Sequence, residues 1–356
     1  MDDFCRQESY AECPGMTSGH TVFLNHELGA ASADWDALNS RLYASHPMLD
    51  SRFVNFLLKH FGNGSEQLCI IGSEGTPSTM CILRKRGLGI WTTFLPSQTQ
   101  VGPVLLASVE NARNVLTVLP QWPLQVDFLC QDPVFSQLLV PESSIDPSID
   151  HALTINIRLE GGFDSYWAGR PKKLVQNIAR YRRRMFADGI SPRFACISSP
   201  DEIETAVNRY AVLEASGWKG QTGTALTVDN PQGAFYRDVM SSFAQTGQAT
   251  VFELWFGDRL AASRLVVSNE SMMIMLKTTY DEGLSQYAPG RLLLHDLIRF
   301  AFESRSRGAI EFYTDATVDQ ISWATGQRWI QHISVYRSES VARMLGAAKC
   351  LRQSLR

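Results

Sequence analysis

Apolar and polar positions along the chain follow two periods. Some stretches have every second residue apolar, as a half-buried strand requires. Others have apolar residues three and four apart, as a helix facing a core requires. In the first half the pattern predicts a strand at His20–Leu28, helices at Asp34–Tyr43 and Ser51–Phe61, and strands at Gln67–Gly72, Ser78–Arg84 and Gly89–Phe94. A helix at Val109–Leu119 and strands at Gln125–Cys130 and His151–Leu159 complete that half. The second of these helices carries Phe53, Phe56, Leu57 and His60 at helical spacing.

The second half repeats the order. A strand at Pro192–Ser198 leads to helices at Pro200–Ser216 and Pro231–Thr246. A meander follows at Ala249–Phe256, Leu260–Ser268 and Ser271–Thr279, its first turn being Gly257-Asp258, which suits a two-residue hairpin loop. Then come a helix from Pro289, a strand at Ala309–Tyr313, a short helix near Val318–Ala324 and a strand at Trp329–Tyr336. One element order met twice predicts a duplicated α/β unit with mixed sheets, an α+β arrangement. The divisions expected are 1–160, a basic helical linker at 161–190, a second unit at 191–340 and a helical tail at 341–356.

Composition narrows the picture. At 356 residues, 44% apolar and 19% charged, the chain has the material for more than one core and is too apolar for disorder. Lys and Arg number 33 against 36 Asp and Glu, a net charge of −3, so no global attraction to nucleic acid or anionic membrane is expected. Seven cysteines form no C-x-x-C pair, and neither a disulfide framework nor a metal site is expected. Cys69, Cys81, Cys130 and Cys196 stand in apolar strand-like runs, where a free thiol acts as a small buried hydrophobe. No run approaches the length of a transmembrane segment, and the start, Met-Asp-Asp, lacks the basic region and apolar run of a signal peptide. A cytoplasmic protein is expected.

Common catalytic motifs are missing. There is no phosphate-binding G-x-x-x-x-G-K-[ST] loop, no complete G-x-G-x-x-G, no G-x-S-x-G and no H-x-x-x-H. His295 and His332 read as structural. The charge cluster Arg170, Lys172, Lys173, Arg180, Arg182, Arg183, Arg184 reads either as a solvated helix face or as a site for a phosphorylated, acidic or nucleotide-linked substrate. Tyr166 and Trp167 beside it read as packing residues.

The helix beginning Ala-Pro-Gly-Arg carries more. Leu294, Leu297, Ile298 and Ala301 form its core stripe. Pro289 fits the first helical position, where a missing N–H costs nothing. The amides of Gly290, Arg291 and Leu292 would then be donors without helical partners, and Gly290 admits a bulky group close to the backbone. Arg291 in the first turn opposes the helix dipole, and a bound anion would reverse that penalty. A plain proline-started helix is the other reading.

Four stretches, "LEASGWKGQTGTAL" (213–226), "FYRDVM" (235–240), "LKTTYDEGLSQYAPGRLL" (276–293) and "IEFYTDAT" (310–317), carry a resemblance to the Gcn5-related N-acetyltransferase superfamily (GNAT). Within it the chain resembles the CelD-like branch associated with cellulose biosynthesis, over about Asp34 to Tyr336. The resemblance implies two tandem acyl-CoA N-acyltransferase folds, the first degenerate. It implies acetyl-CoA or another acyl-CoA as co-substrate, with no metal. Pantetheine would meet Lys277, Thr278, Thr279 and Tyr280, and the pyrophosphate would sit at Gln286 and at Ala288, Pro289, Gly290, Arg291 and Leu292. Gln286 and Gly290 stand at Q-x-x-x-G rather than the superfamily's Q/R-x-x-G-x-G/A. In the first copy, Gly102-Pro103 occupies the matching place with no helix immediately after.

Glu253, a carboxylate in an apolar strand, is a base candidate. Tyr280 and Asp281 stand near the expected thioester, and Tyr313 and Asp315 stand across the opening, Tyr313 as acid for the departing thiolate. Trp218, Lys219, Tyr236 and Trp323 would line the acceptor side. The function implied is acyl transfer to an amine or hydroxyl of a small or sugar-linked acceptor, in exopolysaccharide or cellulose synthesis. The alternatives are a non-catalytic partner of the polysaccharide-synthesis machinery and a Fem-type transferase of aminoacyl groups.

Overall fold

The computed structural model describes residues 19–73, 75–136, 148–217, 230–304 and 308–345. The first repeat runs β1 (Gly19–Phe23), α1 (Ser32–Tyr43), α2 (Ser51–Phe61), β2 (Gln67–Ser73), β3 (Thr76–Gly87), β4 (Ile90–Thr93), β5 (Val104–Leu106), α3 (Val109–Val118), β6 (Gln125–Gln131) and β7 (Ser148–Arg158). Two helices, α4 (Phe163–Ala168) and α5 (Lys172–Ala187), lead to the second repeat. That repeat runs β8 (Pro192–Ile197), α6 (Pro200–Ser216), α7 (Pro231–Ala244), β9 (Ala249–Phe256), β10 (Arg259–Ser268), β11 (Met272–Tyr280), α8 (Pro289–Glu303), β12 (Ala309–Glu311), α9 (Val318–Ile321) and β13 (Gly326–Tyr336).

The duplication expected from element order is present, and both copies share one sheet. Its order is β1-β2-β3-β4-β6-β13-β7-β12-β11-β10-β9-β8, with β5 off the path against β3. Each repeat gives its last strand to the other: β13 pairs antiparallel with β6, and β7 pairs antiparallel with β12. The two exchanged strands pair with each other at the centre, from Gly326 opposite Asn156 to Ile333 opposite Ser148. In both repeats the strand before the exchange point joins in parallel, β4 with β6 and β11 with β12. The sheet is therefore mixed α/β, and its two halves are related as the two halves of a duplication.

On one face α1, α2, α6 and α7 pack together around a shared core that includes Trp35, Phe53, Tyr210, Phe235 and Phe243. Phe53 of α2 meets Phe235 of α7 edge-on at 5.4 Å. The other face is covered by α3 over the first half and by α4, α5 and α8 over the second. No helix among the described residues is long and apolar enough to cross a membrane.

Local differences from the sequence pattern have physical causes. The first strand stops at Phe23, because Leu24 and Leu28 turn into the core and the Leu24 N–H donates to the Glu66 carbonyl. The strand expected to reach Tyr313 ends at Glu311, and Tyr313 takes a left-handed φ of 45° as the chain leaves the sheet. Cys69, Cys81 and Cys130 are buried as expected, whereas Cys196 is exposed because β8 is an edge strand. Gly257 has φ 60°, the left-handed value its two-residue hairpin needs.

A buried polar seam joins the repeats under the central strands. Asp132 and His46 come from the first repeat; Glu311, Tyr313 and Arg328 come from the second. Arg328 forks onto Asp132 at 2.8 and 2.6 Å and reaches Glu311 at 2.9 Å. Burial alone would raise the Asp132 carboxyl, but the Arg328 hydrogen bonds and charge outweigh it and hold the group below its ordinary value. The Tyr313 hydroxyl donates to Asp132 at 2.7 Å and lies 2.9 Å from His46 Nε2. Since His46 Nδ1 accepts from the Met48 N–H at 3.2 Å, its proton is on Nε2 and is donated to Tyr313. Complete burial pushes the His46 pKa down to about 4.

Two outcomes follow. Fragments 1–160 and 161–356, made separately, will each lack a central strand and show no cooperative unfolding by circular dichroism. Mixed, they will co-elute and regain it; a cooperative transition in either fragment alone would contradict strand exchange. Second, the unfolded chain protonates His46 near 6.5 while the folded chain resists until about 4, so the unfolded state binds more protons across that window. Stability will therefore fall as pH drops through it, by about 3 kcal/mol from this group. Urea unfolding of the wild type and His46→Gln at pH 7 and pH 4.5 measures this, the variant showing the shallower decline.

Candidate functional site

β11 and β12 hold together only from Met272 opposite Ala309 to Ile274 opposite Glu311. Beyond that point they part. β12 ends, and β11 carries a bulge that leaves Leu276 without a partner on β10, since Leu265 pairs Lys277 and Val266 pairs Met275. Beside the gap between the parting chains lie two neighbouring chambers of a cleft. The outer one, about 380 Å³, is bounded by Ala288, Gly290 and Arg291 of the α8 start and by Tyr181, Tyr280 and Trp323. The inner one, about 650 Å³, is lined by Cys130, His151, Tyr313 and Asp315, with Thr99 and Gln100 from the first repeat. Arg264, Thr278, Leu294 and Gln320 line both.

The α8 start differs in detail from its sequence reading. Ala288 sits in left-handed backbone, with φ 50°. Its carbonyl accepts from the N–H groups of Arg291 and Leu292 at 3.0 and 3.1 Å, so of the three amides expected to be unengaged, Gly290 alone lacks such a bond. A Cβ at Gly290 would lie 3.4 Å from the Tyr280 ring, so an alanine fits and a longer side chain would enter the outer chamber. The Arg291 guanidinium is engaged, at 2.8 Å from Asp319 across the chamber. The Gln286 carbonyl accepts from Arg184 at 2.9 Å. The cation that the sequence reading overlooked is Arg264 of β10, 8% exposed, with a single long contact, 3.4 Å from Nη2 to the Gly290 carbonyl.

The other expected residues divide between cleft and scaffold. Lys277, Thr278 and Tyr280 lie along the cleft on β11, Thr279 is buried on the same strand, and Pro289 and Leu292 are buried in α8. Asp315 lines the inner chamber and accepts the Leu153 N–H at 3.2 Å. Tyr313 lines it too, but its proton is directed at Asp132, and burial followed by the Asp132 charge raises its pKa well above the ordinary value. That arrangement makes it a poor acid for a thiolate and a firm element of the chamber floor.

Glu253 lines neither chamber: Arg209 grips it at 2.9 and 3.0 Å, and the Trp255 indole donates to it at 3.0 Å. Asp281 lines neither chamber; it pairs with Arg259 at 2.6 Å and caps the following turn. Tyr236 is buried in the α6–α7 core, with the Lys277 ammonium 5.4 Å over its ring, and Trp323 is buried at the edge of the outer chamber. Trp218 and Lys219 lie outside the described residues.

His151, missing from the sequence expectations, projects from β7 into the inner chamber and stacks on His332 at 4.1 Å. Cys130 joins them, with ligand-type atoms of all three within 4.8 Å. The set does not fit a metal centre. The Cys130 N–H takes the His332 Nδ1 lone pair at 3.0 Å, leaving the proton on Nε2, and burial pushes the Cys130 thiol up to about 12. The basic helix α5 exposes Lys172, Lys173, Arg180 and Arg183 to solvent, while Arg182 holds Asp296 and His295 of α8 and Arg170 caps the carbonyl of Trp323.

No curated protein matches this chain. A conserved protein of unknown function from Bacteroides thetaiotaomicron VPI-5482 superposes with a TM-score of 0.54 at 11% identity, over 88% of this chain and 98% of that one. A tandem GNAT protein from the clavulanic acid biosynthesis pathway gives 0.42 at 12% identity, covering 90% of this chain and 99% of that one. A GCN5-related N-acetyltransferase from Kribbella flavida gives 0.35 at 8% identity, covering 90% and 72%. At 11% identity the Bacteroides likeness speaks for the fold alone. Residues 172–319, which carry the β11–β12 opening and the α8 start, match the acetyltransferase (GNAT) domain model.

Proposed function

We propose that the chain is an acyltransferase that moves an acyl group, acetyl in the simplest case, from acyl-CoA to an amine or hydroxyl. The observation that carries this is the pair of adjoining chambers, one at Gly290 at the start of α8 and one between the repeats, that share Arg264, Thr278, Leu294 and Gln320 as walls. Past Ile274 no strand among the described residues pairs the cleft-facing edge of β11. An unpaired strand edge offers a row of backbone donors and acceptors to an extended, amide-bearing chain, and pantetheine is such a chain. The thioester would then reach the inner chamber, with the phosphates near Gly290.

The acceptor enters from the first repeat's side. Ser97, Thr99 and Gln100 give that wall hydroxyl and amide groups, which supports a polyhydroxylated or sugar-linked acceptor, as in exopolysaccharide or cellulose synthesis. At the first repeat's Gly102-Pro103, which matches the α8 start, backbone fills the space: β5 pairs with β3, and a Cβ on Gly102 would lie 2.3 Å from the Leu129 carbonyl oxygen. It serves as wall.

In the reaction the acceptor's nitrogen or oxygen bonds to the thioester carbon, the C–S bond breaks and the thiolate leaves. The acceptor's proton goes to His151, whose imidazole faces the chamber and takes no hydrogen bond from the described residues. Asp315 stands in the same chamber, held by the Leu153 amide, and is the one carboxylate among its described lining residues.

Isothermal titration will show CoA binding to the wild type and none to Gly290→Glu, whose side chain would occupy the outer chamber. A wild type that binds no CoA would sink the reading. With acceptor in hand, His151→Ala will lower kcat about a hundredfold or more at little change in KM for acyl-CoA, measured by thiol release.

A further inference from the structure

Arg264 is out of place by the rules that govern buried charge. It stands in "RLAASRLVVS", its strand neighbours Ser263 and Leu265 are fully buried, and it is itself 8% exposed. A guanidinium stays ionised at neutral pH even here, where burial brings its pKa down to about 10. Buried arginines are ordinarily matched by a carboxylate, as Arg328 is by Asp132 and Glu311 in this same chain. Among the described residues no acidic side chain forms an ion pair with Arg264. Its Nε is buried with no acceptor, and its one hydrogen bond, to the Gly290 carbonyl, is 3.4 Å long.

Such a group is costly to the folded protein unless something else supplies the negative charge. The side chain borders both chambers of the cleft, at their junction. The Gly290 N–H, a backbone donor without a helical partner, belongs to the residue whose carbonyl Arg264 touches. The start of α8, a helix of 15 residues, adds the positive end of its dipole at the same point.

We infer that Arg264 is a ligand-binding residue, which holds an oxyanion carried by the molecule that fills the cleft. The inference rests on the acyl-CoA reading for the identity of that molecule, though not for the presence of an oxyanion. The oxyanion has two possible sources: a phosphate of the donor, or a carboxylate at the far end of its acyl group. A guanidinium takes either in the same forked geometry. The sequence-level cradle at Arg291 is thereby relocated: Arg291 is spent on Asp319, and the free cation comes from the strand beneath.

The test compares wild type, Arg264→Met and Arg264→Lys. A structural arginine would be missed by the ligand-free protein. A ligand-directed one would not, because removing an unpaired buried charge relieves the fold, so the ligand-free Tm of Arg264→Met is expected to equal or exceed that of wild type. Binding is then titrated with CoA, pantetheine, pyrophosphate, acetyl-CoA and succinyl-CoA. If the phosphates are the source, Arg264→Met will bind CoA and pyrophosphate at least tenfold more weakly and pantetheine unchanged, with partial recovery in Arg264→Lys. If an acyl carboxylate is the source, CoA will be unaffected and the variant will lose the wild type's preference for succinyl-CoA over acetyl-CoA.

Unchanged binding of every probe, or a ligand-free Arg264→Met with Tm well below wild type, would overturn the inference and leave the acyl-CoA reading intact. Wild type that binds pyrophosphate through Arg264 but not CoA would do the reverse. Wild type that binds none of the probes would overturn both.

Discussion

The structure depends on one exchange: β7 completes the second repeat's half of the sheet, and β13 completes the first's. Neither half closes its own sheet, so the two copies are one folding unit although their element order repeats. The exchange also shapes the inner chamber. It brings His151 of β7 beside His332 of β13 and places Cys130 next to them, so the inner chamber is floored by strands from both copies. Removing a partner from the Arg328–Asp132–Glu311 seam leaves a buried charge unmatched, which typically costs about 3–5 kcal/mol. The seam lies directly beneath that floor.

Two arginines on the same sheet divide the labour of charge. Arg328 is neutralised from within by two carboxylates and holds the repeats in register. Arg264 is neutralised by nothing in the described protein and borders open space. Composition counts both alike as one positive charge. Their difference is a matter of which groups the fold brings near: one cation is matched within the described protein and the other is not.

Much of the architecture was legible in the sequence because periodicity and turn chemistry are local. The two meanders, the hairpin at Gly257-Asp258, the proline-started α8 and the duplication itself all appear as patterns within ten or twenty residues. Strand exchange was not legible, because β7 and β13 have the same alternation whichever neighbour they pair with. Site geometry was legible in part. Of the residues expected along β11 and the start of α8, Lys277, Thr278, Ala288, Gly290 and Arg291 border the cleft, whereas Thr279, Gln286, Pro289 and Leu292 do not line it. Glu253 and Asp281 fall off it, since the arginines that grip them lie 44 and 22 positions away in sequence. Arg264 and His151 went unnoticed because a lone cation or imidazole in an apolar strand carries no motif. A polar residue in such a strand was the one available signal.

The central strands also fix the order in which the chain is able to fold. β6 is complete at Gln131, yet the strand that covers its open edge, β13, begins at Gly326. A ribosome must add nearly two hundred further residues between the two, and throughout that time β6 presents an uncovered row of backbone groups and apolar side chains. The sheet thus closes last at its middle, through contacts of very long sequence separation, which makes folding slow and the nascent chain prone to pair with another copy. Such pairing would use the same surfaces as the native seam: β13 of one molecule laid against β6 of its neighbour.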